Sequence, residues 1–334
     1  MYTLHNDKEA FRTLITQISS EQAILPEIIE KDYFVTLMLQ EIANKQKSYE
    51  VFFKGGTALY KALKSINRFS EDIDLTFNDR NFESKTAKKN ALKRVTSEYA
   101  SLAINPEDGE SVSGSGSRTS VYIYSTLFSI DTFKDDTLNR IGKLKVETTS
   151  FTTSSPIAVY EIEPILYTYA GDEYRKLLKD NYDVEPFMIN CISIERIFID
   201  KLFAIEDYYL GSQANRLIEM SKHMYDVYQL YSLPEIKEFI QSSDRVKELI
   251  DIKEEEQLRR KEAKTPGKKI TQFEYFDSID RSEIRNSFES MQRIYIFKNE
   301  FKIRFEDAID SLKNIQNKLN DVILCVWKKR ESDF

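Results

Sequence analysis

Two stretches, FKGGTAL at positions 53–59 and RFSEDIDL at positions 68–75, decide the fold of this 334-residue chain. The first is the end of a β-prone run, followed by a glycine pair and a helical segment. The second leads into another β-prone run, from Ile73 to Phe77. The sequence therefore predicts the order strand, glycine turn, helix, strand, which is typical of an α+β domain.

Two carboxylates flank a single apolar residue at the start of the second predicted strand. Strand side chains alternate, so Asp72 and Asp74 are expected to face the same way. Side by side they would repel each other, and a divalent cation relieves that repulsion. Mg²⁺ prefers oxygen ligands and uses few protein carboxylates, so the pair predicts a magnesium site.

The glycine pair predicts a phosphate site. Gly55 and Gly56 allow the backbone to approach a phosphate closely, and the following helix would direct free N–H groups at it. Thr57 is expected to add a hydroxyl donor, and Lys54 is a candidate phosphate neighbour. Ser70 is expected to contact phosphate or metal-bound water, or to cap the turn before the strand.

Each of these motifs alone is common, but together, at this spacing, they outline a site for nucleotidyl transfer. In-line displacement at the α-phosphorus of a nucleoside triphosphate (NTP) needs a carboxylate-held metal and a phosphate cradle. Arg68 is expected either to contact nucleotide or RNA, or to pair with Glu71.

The rest of the chain divides into three predicted regions: N-terminal helices at 1–45 that pack on the core, a mixed α+β core at 46–170, and a mainly helical region at 171–334. The apolar pattern at 282–327 is too long for one ordinary helix and predicts a break. A charged linker containing Pro and Gly is predicted at 259–269.

Composition excludes several classes of protein. Two Cys and two His make a disulfide scaffold or a Cys/His zinc site improbable, so a metal would need carboxylate ligands. The net charge of −7 disfavours a general DNA-coating protein but permits a local basic groove. No stretch is apolar enough to span a membrane and no signal peptide is recognised, so a cytoplasmic protein without membrane partners is expected.

The two quoted stretches resemble the motifs of the AbiEii/AbiGii-type nucleotidyltransferase toxins of bacterial toxin–antitoxin and abortive-infection systems. The segment Glu30 to Tyr33 is similar to that family's leading motif, and the resemblance covers roughly 25–235. These toxins look like members of the DNA polymerase β-like nucleotidyltransferase superfamily. The resemblance implies a polymerase β-like core, Mg²⁺ or Mn²⁺ as cofactor, and an NTP as substrate.

The resemblance also implies further site residues. Glu147 would be the third metal ligand or the base that deprotonates the acceptor, and Lys201 would be a point charge for the triphosphate. Asp226 matches a characteristic aspartate of the family, and would position Lys201 through an ion pair or touch the nucleotide. The alternative is a buried helix aspartate without a role in the site. Many relatives have an acidic residue where this chain has His223, which is expected to be structural or exposed.

The leading functional hypothesis is a toxin that transfers a nucleoside monophosphate (NMP) to RNA, specifically to a tRNA 3′ end, and acts in phage defence. A neighbouring gene would then encode its antitoxin. Two clusters could hold the RNA, one on a helix at 85–94 and one at 259–269. The alternatives are nucleotidylation of a protein hydroxyl, such as AMPylation, and a catalytically decayed nucleotide-binding protein.

Overall fold

The computed structural model describes residues 1–79, 82–105, 111–114, 116–128, 141–211, 214–260 and 263–332, with the backbone alone for 214–215 and 323–332. Contacts between α-carbons divide the chain into two compact units. Unit 1 comprises 1–63, 70–150 and 157–192, and unit 2 comprises 64–69, 151–156 and 193–334.

Unit 1 contains the strands found in the described residues, which form one mixed seven-stranded sheet. They are β1 (Val51–Lys54), β2 (Ile73–Phe77), β3 (Ala103–Ile104), β4 (Ser117–Ile123), β5 (Lys143–Thr149), β6 (Ile157–Ile162) and β7 (Phe187–Ile192). Their order is β3-β4-β5-β2-β1-β7-β6. The β2–β5 and β1–β7 pairs are parallel and the other pairs are antiparallel. The predicted α+β class, a mixed sheet followed by a mainly helical region, is confirmed.

The two faces of the central strands differ in polarity. Residues paired across neighbouring strands share a face, as do residues two apart along one strand. One face is apolar and its side chains are buried: Val51, Phe53, Ile73, Leu75, Leu144 and Val146. The opposite face carries polar side chains: Lys54, Asp74, Thr76, Thr119, Lys145 and Glu147. The chemistry of this sheet therefore lies on one face.

The helices of unit 1 are α1 (Lys8–Gln22), α2 (Pro26–Tyr49), α3 (Gly55–Lys61), α4 (Lys85–Ser97), α5 (Ile165–Thr168) and α6 (Asp172–Tyr182). Asp7 caps α1 by accepting from the Ala10 N–H, and Pro26 occupies the first turn of α2. Helix α2 packs on β1, β2 and β7. From Glu27 to Leu39 all of its residues are buried, charged ones included, so it is a central helix rather than an amphipathic surface helix.

Unit 2 is helical in its described residues. Its helices are α7 (Ile194–Tyr209), α8 (Ala214–Ser232), α9 (Pro234–Gln241), α10 (Ser243–Arg259), α11 (Tyr275–Ser278), α12 (Ser282–Tyr295) and α13 (Phe305–Ser332). Helix α8 packs against α7, α12 and α13. The predicted break within 282–327 falls between α12 and α13.

Two details differ from the sequence-based expectation. Strand β7 lies within the region predicted to be helical, and it joins the sheet beside β1. The sequence pattern of 234–252 predicts one helix, but the structure has two helices there, which meet at Ser242. The domain boundaries at 45 and 170 stay a prediction. The sequence also predicts a turn-rich loop at 107–118 and a strand at 119–130. Much of that loop, and residues 129–130, lie outside the described residues. Among the described helices, none is long and apolar enough to cross a membrane.

Candidate active site

The glycine turn lies directly against one of the two aspartates. Gly55 has φ of +81°, a conformation that L side chains rarely adopt. A β carbon added to Gly55 would overlap Asp74 Oδ2 and lie 2.9 Å from Asp74 Cγ. Glycine is therefore required at position 55 for two reasons. It permits this backbone conformation, and it leaves space for the Asp74 carboxylate.

A row of charged residues crosses three strands on the polar face. Lys54 of β1 pairs in register with Asp74 of β2, and Asp74 pairs with Glu147 of β5. Lys54 Nζ donates to Thr149 Oγ1 at 3.0 Å, and Lys145 Nζ lies 3.9 Å from Glu147 Oε2. Asp74 is partly exposed, and the Glu147 side chain is 39% exposed. The register thus brings Asp74 and Glu147 side by side on one face, and the role of Glu147 as metal ligand or base stays a prediction.

Asp72 precedes the strand and is held through its backbone. The hydroxyl of Thr57, which is fully buried, donates to the Asp72 carbonyl oxygen and lies 3.0 Å from Ser70 Oγ. Thr57 thus ties the start of α3 to the turn that carries the aspartates. Its single proton is used inside this turn, and contacts of Thr57 and Ser70 with phosphate stay predictions. Gly56 is buried in the first turn of α3.

The donor chemistry of this face fits a hard divalent cation. Asp72, Asp74 and Glu147 supply only carboxylate oxygens, which Mg²⁺ and Mn²⁺ accept. Within the described part of the chain, no group of three or more His, Cys, Asp or Glu side chains is arranged to hold a metal ion. Mg²⁺ is usually bound through one or two carboxylates and several waters, so a site there needs no more than two of these acids. The three-ligand metal set stays a prediction.

Unit 2 contains a second group of charged side chains, centred on Asp226 of α8. Arg68 donates to both carboxylate oxygens of Asp226 at 2.7 Å, and Lys201 Nζ of α7 lies 2.9 Å from Asp226 Oδ2. All three residues are buried. The structure therefore has the Lys201–Asp226 ion pair, which was one of the alternatives for Asp226, and a role of this pair in the site stays a prediction. Contact of Lys201 with a triphosphate stays a prediction.

The expectation for Arg68 is wrong in its pairing. Arg68 pairs with Asp226, whereas Glu71 lies 3.4 Å from Lys31 Nζ. Because Arg68 is buried and engaged by both carboxylate oxygens, it is part of the fold of unit 2. A bidentate pair of this kind fixes orientation as well as charge.

The surrounding charges and burial act on the pKa values of Asp226 and His223. Burial alone would raise the pKa of Asp226, but the charges of Arg68 and Lys201 outweigh it and lower the pKa to about 2. Burial and the nearby Lys201 ammonium hold the pKa of His223 well below its usual value. A neutral His223 can accept through Nδ1 from Lys201 Nζ, 3.2 Å away. His223 is thus partly buried and contacts Lys201, and its structural role stays a prediction.

The two basic clusters differ in how far they are neutralised. Around 259–269, each of four basic residues has an acidic partner: Arg259 with Glu255, Arg260 with Asp207, Lys268 with Glu206 and Glu274, and Lys269 with Glu254. This cluster fastens the linker to α7 and α10. On α4, Lys88 pairs with Asp79 at 3.2 Å, and Lys85, Lys89 and Lys93 are exposed. Among the described residues, the α4 cluster is thus the less neutralised of the two, and RNA binding by either cluster stays a prediction.

A family model named "Nucleotidyl transferase AbiEii toxin, Type IV TA system" matches residues 37–301. The chain belongs to the AbiEii family of nucleotidyltransferase toxins. The resemblance seen in the sequence is thereby confirmed, and the match extends beyond 235, where no motif was recognised. The protein is a nucleotidyltransferase toxin of a type IV toxin–antitoxin system.

One solved structure similar to this chain is MenT4, a nucleotidyltransferase toxin from Mycobacterium tuberculosis H37Rv. The two share 13% identity with a TM-score of 0.42, over 91% of this chain and 98% of MenT4. A likeness this distant assigns no residue roles. No curated protein matches the chain.

Proposed function

We propose that this AbiEii-family toxin transfers an NMP from an NTP to an RNA hydroxyl, with the tRNA 3′ end as the acceptor, and that Asp72 and Asp74 hold the required Mg²⁺ or Mn²⁺. The observation that carries the proposal is the row formed by Lys54, Asp74 and Glu147 beside the Gly55 turn. Carboxylates, a cation and a glycine turn beside them are what a metal-bound triphosphate needs.

The chemistry assigns a role to each group on this face. The acceptor hydroxyl attacks the α-phosphorus, its proton passes to a carboxylate, and the bond from the α-phosphorus to the bridging oxygen breaks to release pyrophosphate. Glu147 is the proposed proton acceptor, because it is partly exposed and lies beside Asp74 in the sheet. Lys54 is the proposed neighbour of the leaving phosphates. The bound metal would neutralise charge that develops on the phosphates.

The toxin class supports the RNA acceptor and the cellular setting. Capping a tRNA acceptor end would stop translation, which suits a toxin. The exposed lysines of α4 give an RNA backbone a surface to bind. We further propose a cytoplasmic site of action in phage defence, and an antitoxin encoded by a neighbouring gene.

The test is incubation of the purified protein with each α-labelled NTP and either total RNA or total protein from cells. Label should enter ribonuclease-sensitive material, disappear with EDTA and return with Mg²⁺ or Mn²⁺. The Asp74→Asn variant removes a carboxylate ligand of the metal and leaves the volume of the side chain nearly unchanged. It should therefore remain folded and lose transfer activity. Label in ribonuclease-resistant protein would instead show nucleotidylation of a protein. Transfer that persists with EDTA would reject the metal site.

A further inference from the structure

Helix α2 carries three consecutive charged residues inside unit 1. Glu30, Lys31 and Asp32 are each at most 1% exposed. Consecutive residues on a helix are about 100° apart, so these side chains project in three directions. Buried charges are costly unless they are paired and hydrogen-bonded, so each side chain needs partners of its own.

Two of the three hold other segments of unit 1. Glu30 accepts from the Leu127 N–H at 2.7 Å and from the Thr126 hydroxyl. Asp32 pairs with Lys61 at 2.7 and 3.0 Å and accepts from the Ile165 N–H at 2.6 Å. Lys61 is the last residue of α3, whose first turn contains the glycine pair.

Lys31 contacts the starts of both strands that carry the acids. Its ammonium lies 3.4 Å from Glu71 Oε2 and donates to the backbone carbonyl of Lys143. Glu71 immediately precedes Asp72, and Lys143 is the first residue of β5. Because β2 and β5 are parallel neighbours, these two contacts lie at the same end of the strand pair.

We infer that Lys31 is a positioning residue for the acidic site. By holding the starts of β2 and β5 together, it fixes the register that places Asp74 beside Glu147 and the turn from which Asp72 projects. The inference rests on the proposed metal site at these acids. A displacement of about 1 Å in such a site costs on the order of 100-fold in rate. Loss of the Lys31 contacts should therefore lower kcat measurably.

The same helix offers a matched control. Glu41 is also buried, and its carboxylate accepts from the Ala100 N–H at 2.8 and 2.9 Å and from the Ser101 N–H at 2.8 Å. The segment that it holds follows α4 and contains no candidate site residue. Glu41→Gln therefore weakens an anchor of α2 without touching the strands that carry the acids.

The experiment compares the full-length wild type, Lys31→Met, Lys31→Arg, Glu71→Gln and Glu41→Gln. Folding is checked by circular dichroism and melting temperature. Mn²⁺ affinity is measured by electron paramagnetic resonance without NTP, and kcat and KM for NTP are measured separately. Lys31→Met should weaken Mn²⁺ binding at least fivefold and lower kcat at least tenfold, with a smaller change in KM.

The conservative variants keep the test decisive. Lys31→Arg retains a cation and donors, so it should recover part of both losses. Glu71→Gln keeps the contact between Lys31 and the Lys143 carbonyl, so it should weaken Mn²⁺ binding only about threefold. If Lys31→Met does not fold, Glu71→Gln serves as the test of the positioning role. Glu41→Gln should lower the melting temperature and leave Mn²⁺ affinity and kcat unchanged.

The outcomes separate this inference from the proposed function. Wild-type Mn²⁺ affinity and kcat in folded Lys31→Met, or in Glu71→Gln, would overturn the positioning role. Equal losses in Glu41→Gln would overturn it as well, because they would show general loosening of α2. If the wild type binds Mn²⁺ no better than Asp74→Asn does, the proposed metal site itself fails.

Discussion

At the scale of single residues, Gly55 is required both for its left-handed backbone conformation and for the space that the Asp74 carboxylate occupies. A left-handed conformation costs an L residue about 1–2 kcal/mol, and here an added methyl also meets the Asp74 carboxylate. Gly55→Ala should therefore destabilise the protein by at least that amount and abolish transfer.

Gly267 provides the control for Gly55, because its φ is +75° but nothing lies within 4 Å of an added β carbon. Gly267→Ala should show the conformational cost alone, about 1 kcal/mol in chemical denaturation, with kcat unchanged. Full activity in Gly55→Ala would show that the carboxylate moves away freely, and the close approach would then have no role in the site.

The charge of Asp226 contributes to the stability of unit 2, because this buried carboxylate pairs with two buried cations. Asp226→Asn leaves the buried Arg68 and Lys201 cations without their carboxylate, so the free energy of unfolding at pH 6 should fall by about 3–5 kcal/mol. The exposed Asp310→Asn is the control and should change it by no more than about 0.5 kcal/mol.

The difference in the free energy of unfolding between wild type and Asp226→Asn should depend on pH. The reason is the lowered pKa of Asp226, about 2 against 3.8 for the free side chain. The stabilisation is complete above the unfolded-state pKa and declines as the pH falls towards the folded-state pKa. The gap between wild type and Asp226→Asn should therefore narrow by about 1 kcal/mol from pH 6 to pH 3 in urea titrations. A constant gap would mean that the folded-state pKa is not lowered.

At the scale of elements, the β2–β5 pair tests whether Glu147 belongs to the site. A positioned proton acceptor contributes roughly 100- to 10,000-fold, so Glu147→Gln should lower kcat by about 100-fold or more. Glu161→Gln, an exposed acid on the edge strand β6, should leave kcat unchanged. Wild-type kcat in Glu147→Gln would exclude this residue from catalysis.

Local patterns explain which elements the sequence predicted. Alternation located β2 with its correct ends, and the glycine pair located the start of α3, because both signals lie within a few residues. Strand β7 was missed because its apolar run continues directly into the apolar pattern of α7, and short apolar runs do not distinguish strand from helix.

Long-range pairing explains which site contacts the sequence could not predict. Arg68 and Asp226 are 158 residues apart in the chain, so their contact leaves no local pattern. Glu30, Lys31 and Asp32 stand out in the sequence only by their likeness to the family's leading motif, which does not predict burial, since charged residues are rarely fully buried. Only the fold reveals that they are enclosed and paired.

At the scale of the whole molecule, a net charge of −7 makes the position of the unneutralised basic residues important for RNA binding. Helix α4 packs on the apolar face of the sheet, where the Tyr122 hydroxyl donates to the Thr96 carbonyl and Ser97 contacts Ser120. The exposed lysines of α4 are thus on the opposite side of the sheet from Asp74 and Glu147. We expect them to contribute affinity for RNA rather than chemistry.

This arrangement predicts a separation of KM from kcat. Changing Lys85, Lys89 and Lys93 together to Glu should raise KM for the RNA acceptor about tenfold or more and reduce the salt dependence of binding, with kcat at saturation unchanged. The control changes three scattered exposed lysines, Lys176, Lys237 and Lys313, to Glu, which alters the net charge equally. If both variants raise KM alike, the effect comes from overall charge. If only the α4 variant does, RNA is held by that helix, and a loss of kcat there would instead place α4 close to the reacting groups.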